Sequence, residues 1–320
     1  MKLISRIVLG AVALFILAAV GANFLTRRPI DSARFAEPPI AAAPPVSTTD
    51  VRFSILPTAT FSAPEGAVFE GGNWFERRAM AHSAVLICHP RGFVLFDTGL
   101  GRAIDSQFEE FPPTTRAALG AYEKRASAAD VIAEASPCPD RPLIVIPSHL
   151  HWDHAGGIED LPLSQVWVAP EELQQARAAG VRQGFLPGQI DAQTIHWRPL
   201  NLTGGPYEQY DRSLDVFGDG SLVLVPMSGH TAGSVGLFIT AAGGRYFLTG
   251  DTTWAVEGFT RPAHKFFAAR SMADLDLAQL DAEIAGVRRL IRRDPTLTVI
   301  PAHDVVAYPT DGVYPNWIGD

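Results

Sequence analysis

Six consecutive residues, His149-Leu150-His151-Trp152-Asp153-His154, hold three imidazoles and one carboxylate. Neutral imidazole and carboxylate are the donors that zinc and similar divalent ions take. On an extended turn, residues two apart point the same way. His149 and His151 can then grip one ion while Asp153 and His154 face a neighbouring position. The cluster directly follows an apolar run at 143–147. Three further candidates repeat that placement: His230 after 222–225, Asp251 after 246–248 and His303 after 297–300. Each stands just past the C-terminal end of an apolar run, where α/β sheets place their sites. Gly229 and Gly250 precede two of them and allow the sharp turn that exposes the next side chain. Two ions ~3.5–4 Å apart activate water at neutral pH and polarise a carbonyl or phosphoryl oxygen, which is machinery for hydrolysis.

The elements that must carry these residues follow from the apolar pattern. Short runs bounded by Gly and Pro predict strands at 84–88, 93–96, 143–146, 166–168, 222–225, 235–239, 246–248 and 297–300. His89-Pro90-Arg91-Gly92 predicts a hairpin between the first two. Helices are expected between strands, most clearly over 273–293. There Leu277, Leu280, Ile284, Val287 and Ile291 recur at alternating spacings of three and four. Asp274 and Asp276 are expected in the first turn of that helix and Arg292 and Arg293 in its last, with Pro295 ending it.

The chain has 320 residues, 47% hydrophobic and 19% charged, which is a globular composition with enough length for a sizeable core. Its 34 acidic residues outnumber 26 basic ones, so no nucleic-acid partner is expected. Two cysteines are too few for a disulfide scaffold or a thiolate zinc site. If the strands following Cys88 and Cys138 run parallel and adjacent, both thiols lie at the sheet end away from the ligands. They then form either a disulfide or two buried thiols.

At the N-terminus, Lys2 and Arg6 precede a run without charge over 7–25, and Val20-Gly21-Ala22 looks like a cleavage site. The run is also long enough to span a bilayer, and Arg27-Arg28 follow it. A cleaved signal peptide and an uncleaved anchor over 1–28 both fit. Residues 29–50 read as a Pro/Ala-rich tether, and one folded domain is expected over 51–320. Export follows from either reading: the domain is expected in the periplasm, or outside the cytoplasm on the inner membrane, with membrane contact only through the N-terminal segment.

Taken together, the ligands resemble the signature of the metallo-β-lactamase superfamily, H-x-H-x-D-H followed by strand-end His, Asp and His. The resemblance covers about 51–304. It implies a four-layer αββα sandwich with metals at one edge of two sheets. By motif position it assigns His149, His151 and His230 to a first metal, Asp153, His154 and His303 to a second, and Asp251 to a bridge. Asp97, in Phe96-Asp97-Thr98-Gly99, matches the strand-end Asp that supports the site from behind. Two divalent ions per chain are implied, with zinc the expected metal, and Asp153 and Asp251 as the carboxylates of the chemistry.

The superfamily's di-iron oxidoreductases carry Glu where this chain has His151, which favours a hydrolase, although single-iron thiol dioxygenases share the histidine. Bridging Asp251 departs from the class B β-lactamases. No helical domain of the glyoxalase II kind is expected after His303. Residues 83–100, the Gly229–Gly233 stretch and the ending Ile300-Pro301-Ala302-His303-Asp304 look most like the N-acyl homoserine lactonases. The implied activity is opening of a lactone or a related ester. Other readings are a same-fold hydrolase of thioesters, phosphodiesters or β-lactams, and a metal-binding protein without useful catalysis. That lactonase group has Tyr three residues after the bridging Asp, where this chain has Trp254. Trp254, Phe259, Phe266 and Phe267 are expected as an apolar wall for a small-molecule substrate or as core, and His264 as a pocket neighbour. His82, His89 and His196 are expected to be structural.

Overall fold

The computed structural model describes residues 10, 21, 25, 27–35, 49–139 and 141–319. Most of the N-terminal run at 7–25, and 36–48 of the expected tether, lie outside the described residues. Among the described residues no helix is long and apolar enough to cross a membrane. Residues 27–35 pack on the domain: Arg28 pairs with Asp281 at 2.7 Å, and Ile30 is buried against the cluster that holds Ile284.

Seven strands form one sheet: β1 Arg52–Pro64, β2 Arg77–His89, β3 Gly92–Thr98, β4 Glu123–Lys124, β5 Leu143–Ile146, β6 Gln165–Val168 and β7 His196–Pro199. Their spatial order is β4-β1-β2-β3-β5-β6-β7. Five more form the second sheet: β8 Leu214–Asp215, β9 Leu222–Pro226, β10 Val235–Ala241, β11 Gly244–Leu248 and β12 Thr298–Ile300. Their order is β12-β11-β10-β9-β8. The β2–β3 hairpin turns at the expected tetrad, with His89 opposite Gly92. From β3 through β5, β6 and β7 the pairing is parallel.

Side-chain alternation along these strands builds the layers. Val85, Ile87, Val94 and Phe96 face Leu222, Leu224, Leu237 and Ile239 between the sheets. Their neighbours Leu86, Phe93 and Leu95 turn outward onto Val131, Ala176 and Phe185. On the far side, Val223, Val225, Phe238 and Phe247 turn onto Ile284, Val287 and Leu290 of the helix Leu277–Arg293. Both faces of each sheet are covered, so the strands read as continuous apolar runs rather than alternating ones. This is the expected αββα sandwich.

Two readings of the sequence change. The long strand β1, which lies between the short edge strand β4 and β2, was not expected. Pro57 and Pro64 and interspersed Ser and Thr hide its pattern, and its register breaks between Pro57 and Ala59. The long helix begins at Leu277 rather than 273. Asp276 is its cap, accepting from the backbone N–H of Ala278 and Gln279 at 2.8 and 3.1 Å. Asp274 instead ends a separate short helix, Phe267–Ala273, and is thereby freed for the site.

β3 and β5 are parallel neighbours with Phe93 opposite Leu143. The condition for pairing the cysteines is met, and Cys88 and Cys138 form a disulfide with Cα atoms 5.7 Å apart.

Candidate metal centre

Three imidazole nitrogens converge where the turn after β5 meets the turn after β9. His149 Nε2, His151 Nδ1 and His230 Nε2 form a triangle with sides of 3.0, 2.9 and 3.1 Å. All three rings are buried. Burial, joined by the neighbouring imidazoles, pushes the pKa of His149 and His151 well below the ordinary value. Burial and the Lys265 ammonium lower that of His230. The rings are therefore neutral, as ligands must be. His230 donates its Nδ1–H to Asp274 Oδ1 at 2.6 Å, which leaves a lone pair on Nε2. Three neutral imidazole nitrogens converging in this way would hold a divalent ion.

A second set lies beside it. His154 Nε2 is 3.3 Å and His303 Nε2 3.0 Å from Asp251 Oδ1, and His303 Nε2 is 3.4 Å from Asp153 Oδ2. His154 Nε2 and Asp251 Oδ1 are buried without any hydrogen-bond partner. Orphaned polar atoms of this kind are costly unless something unseen pairs them. The donor set fits a divalent ion. The other nitrogen of each ring is engaged: His154 Nδ1 donates to Asp97 Oδ2 at 2.9 Å and His303 Nδ1 to the carbonyl of Ala81 at 2.8 Å. Burial opposes charge on His154, yet Asp97, Asp251 and Asp153 together hold its pKa well above the usual value. Burial likewise opposes ionisation of Asp251, but the His303 and His154 imidazoles hold it well below the carboxylate range.

The loops that aim these groups are built locally. Gly229 and Gly250 have φ of +126° and +53°, and a Cβ at Gly229 would sit 2.8 Å from the Leu280 nitrogen. The glycine turns expected before His230 and Asp251 are thus required by backbone and space. Asp97 itself adopts φ +57° at the end of β3. It is held there by the backbone N–H and hydroxyl of Ser148, at 2.6 and 3.0 Å. Buried Glu172 accepts from the Leu150 and Gly233 amides at 2.8 and 2.9 Å, tying the His149–His154 turn to the His230 turn. Asp304 takes a two-pronged contact from Arg78 at 2.7 and 2.8 Å and the Val256 amide at 2.8 Å. That fixes His303 relative to the loop carrying Trp254.

The structure brings together all seven residues expected as ligands, with Asp97 behind them. The expected pocket residues scatter. Trp254 is at the site, its indole N–H donating to Asp251 Oδ2 at 2.7 Å. Phe259 is fully buried in the core with Val223 and Phe247. His264 Nε2 lies 2.6 Å from Asp281 Oδ1 in the helix layer. Packing and a hydrogen bond, not a pocket wall, account for those two. Phe266 packs edge-on against Trp74 and Phe267. Four groups at the site were not foreseen: His82, Glu172, Lys265 and Asp274. Nothing in their spacing marks them, since each reaches the site through a different part of the fold. His82, expected to be structural, has its Nδ1 2.9 Å from Asp153 Oδ2.

A profile described as the Metallo-beta-lactamase superfamily matches residues 77–303. A probable metallo-hydrolase of Mycobacterium tuberculosis is 30% identical over 175 residues, 51% of this chain and 55% of that protein. The N-acyl homoserine lactonase AttM of Azorhizobium caulinodans is 26% identical over 169 residues, 52% of this chain and 59% of that one. The chain thus spans somewhat over half the length of these relatives. Among solved structures, an N-acyl homoserine lactone hydrolase with N-hexanoyl-L-homoserine at its catalytic metal centre superposes with a TM-score of 0.63 at 20% identity. It covers 85% of this chain and all of that one. AiiA of B. thuringiensis gives the same TM-score and identity. The chain belongs to the metallo-β-lactamase superfamily.

Proposed function

From that membership we propose that the chain binds two divalent ions and opens a lactone or cleaves a related ester. His149, His151 and His230 would hold one ion; Asp153, His154 and His303 would hold the other. The observation that carries the reading is the place of Asp251 between the two sets. Its Oδ1 lies 3.0 Å from His303 Nε2 and 3.3 Å from His154 Nε2, and its Oδ2 lies 3.2 Å from His303 Nε2 and 3.7 Å from His230 Nε2. Zinc is the expected metal, and the N/O donor set also suits manganese, iron or cobalt. When bound, such ions supply an activated water and Lewis-acid polarisation of the substrate carbonyl.

The chain's own contribution is orientation and proton handling. Asp97, Asp274 and the Ala81 carbonyl fix the tautomers of His154, His230 and His303, so that each turns one nitrogen inward. Asp251 is placed to take the proton of the attacking water and hand it to the leaving oxygen. The lactone assignment is supported by the names of the relatives and by the residues at 229–233 and 300–304. Elemental analysis of metal-loaded protein should approach two ions per chain. Hydrolysis rates on a panel of lactones, esters, thioesters, phosphodiesters and β-lactams should be highest on a lactone or ester. A stoichiometry that stays near one, unchanged in His303→Ala, would remove the second ion.

We further propose export, with the domain outside the cytoplasm. The motivation is the apolar run at 7–25 with its basic flanks, and the Cys88–Cys138 disulfide is what an oxidising compartment permits. Cell fractionation checks it: soluble full-length protein in the cytosol would end the idea.

A further inference from the structure

His82 lies on β2 opposite Ala59 of β1. It is an imidazole set in a strand whose neighbours Ala81, Ala84 and Val85 are apolar and buried. Its position is tightly set. Thr58 Oγ1 donates to its carbonyl at 2.9 Å. Its ring stacks on Phe61 at 4.9 Å and meets Trp152 edge-on at 5.0 Å and His303 at 5.2 Å. Those contacts leave the ring little freedom to turn.

The Nδ1 atom is the anomaly. It lies 2.9 Å from Asp153 Oδ2. Yet that contact lacks the alignment of a hydrogen bond, and Nδ1 is buried with no other partner. A ring nitrogen carries its proton or lone pair along one in-plane direction, and here that direction passes the oxygen by. Two donors to a common cation stand in this relation: close neighbours whose lone pairs converge on a third point rather than on each other. His154 Nε2 shows the same signature, buried and unpartnered 3.3 Å from Asp251 Oδ1. Ligand atoms of His82, Asp153 and His303 lie within 4.8 Å of one another, and all three residues are buried.

We propose that His82 is an additional metal ligand, donating Nδ1 to the ion held on the Asp153–His303 side. The inference rests on the reading of the site as a metal centre, but no motif position requires it. It adds a neutral nitrogen where Asp153 and Asp251 already bring two negative charges. The two positions then differ in kind: one has three imidazoles and at most a share of Asp251, the other a mixed carboxylate–imidazole set. Loss of His82 should be felt at the mixed position only.

The test uses the full-length chain, stripped of metal and titrated with zinc. Nitrogen NMR on histidine-labelled wild type follows His82 directly. Its Nδ1 should shift into the metal-bound range as zinc is added and show no directly bonded proton. In parallel, His82→Phe keeps an aromatic ring between Phe61 and Trp152 but removes the nitrogen. Competition against a chromophoric chelator should show the weaker zinc loosened by at least about tenfold and the tighter one unchanged. A proton that stays on His82 Nδ1 in the zinc-saturated protein makes the residue a hydrogen-bond donor to Asp153 and overturns the proposal. So does an unaltered zinc titration of His82→Phe. Wild type that takes up no zinc at all overturns the metal-centre reading itself, and the ligand role of His82 with it.

Discussion

The only hydrogen-bond donor of the Trp254 side chain is spent on Asp251, at 2.7 Å from Oδ2, the carboxylate oxygen that lies between His303 and His230. Indole cannot ionise or pass a proton as a phenol does. In this arrangement it also has no second donor to offer a substrate carbonyl. Trp254 is therefore placed to hold the Asp251 carboxylate rather than to contact substrate as the lactonase tyrosine does.

Trp254→Phe follows from this. It removes the donor and keeps most of the ring packing. A hydrogen bond to a charged group contributes about 1.5–3 kcal/mol, so kcat should fall about tenfold or more, with roughly 1.4 kcal/mol per factor of ten. KM should change little. A loss confined to KM would instead make Trp254 a pocket wall. Asp251→Asn, which removes the charge and the proton carrier, should lower kcat by orders of magnitude even with metal retained. Full activity in metal-replete Asp251→Asn would overturn the proposed mechanism.

A second pair of variants addresses the support of His230. Asp274 Oδ1 receives both His230 Nδ1 at 2.6 Å and Lys265 Nζ at 2.7 Å, and all three side chains are buried. Asp274→Asn weakens the hold on the His230 tautomer and should loosen the ion at the three-histidine position by roughly 10–100-fold. Lys265→Met leaves the Asp274 carboxylate buried beside His230 without its cation. That should cost about 3–5 kcal/mol of stability by the usual penalty for breaking a buried pair. Thermal and denaturant unfolding measure it. The double variant Lys265→Met/Asp274→Asn should recover part of the loss, and no recovery would mean the two residues are not coupled.

What the sequence disclosed depended on locality. The His149–His154 segment and the strand ends before His230, Asp251 and His303 are short-range patterns. The strands that carry them are doubly buried and so read as plain apolar runs. β1 escaped because Pro57 and Pro64 punctuate it and its register break, between Pro57 and Ala59, shifts the alternation partway along. Lys265 and His82 escaped because their role is set by the approach of distant elements: β2 brings His82 to Asp153, and the segment after Asp251 brings Lys265 to Asp274. Each alone in sequence is an ordinary polar residue.

Metal uptake should depend on pH differently at the two positions. Burial and neighbouring imidazoles hold His149 and His151 well below their usual pKa, so their nitrogens bind with little proton release. His154 and His303 are opposite cases. Burial lowers them, but carboxylates outweigh it: Asp97 first for His154 and Asp251 first for His303. In the metal-free protein both keep their proton above the usual histidine value of about 6.5. The stability these protonated rings add is fully present below that value and is lost as pH rises through their raised folded pKa. A metal must displace those protons. Affinity at the mixed position should therefore climb with pH until the raised pKa values are passed, and then level off. Calorimetric titrations in buffers of different ionisation enthalpy count the protons. Equal release at both positions would contradict the assignment.

The disulfide predicts a separation between stability and metal binding. Cys88 lies near the end of β2 and Cys138 follows the helix Ala128–Ala135, 50 residues later in the chain than Cys88. Both lie at the end of β3 and β5 where Phe93 pairs with Leu143, whereas Asp97 and Ser148 mark the opposite end. Closing a loop of this length contributes about 2–4 kcal/mol, chiefly by restricting the unfolded chain. A Cys88→Ala/Cys138→Ala variant should accordingly unfold at lower temperature and lower denaturant. Its metal content and kcat should match wild type, because no strand end that carries a ligand is touched. Thiol titration of protein isolated without reductant should find no free cysteine before unfolding. Two reactive thiols in protein taken directly from its native compartment would show that the bond does not form there, and would withdraw its support from export as well.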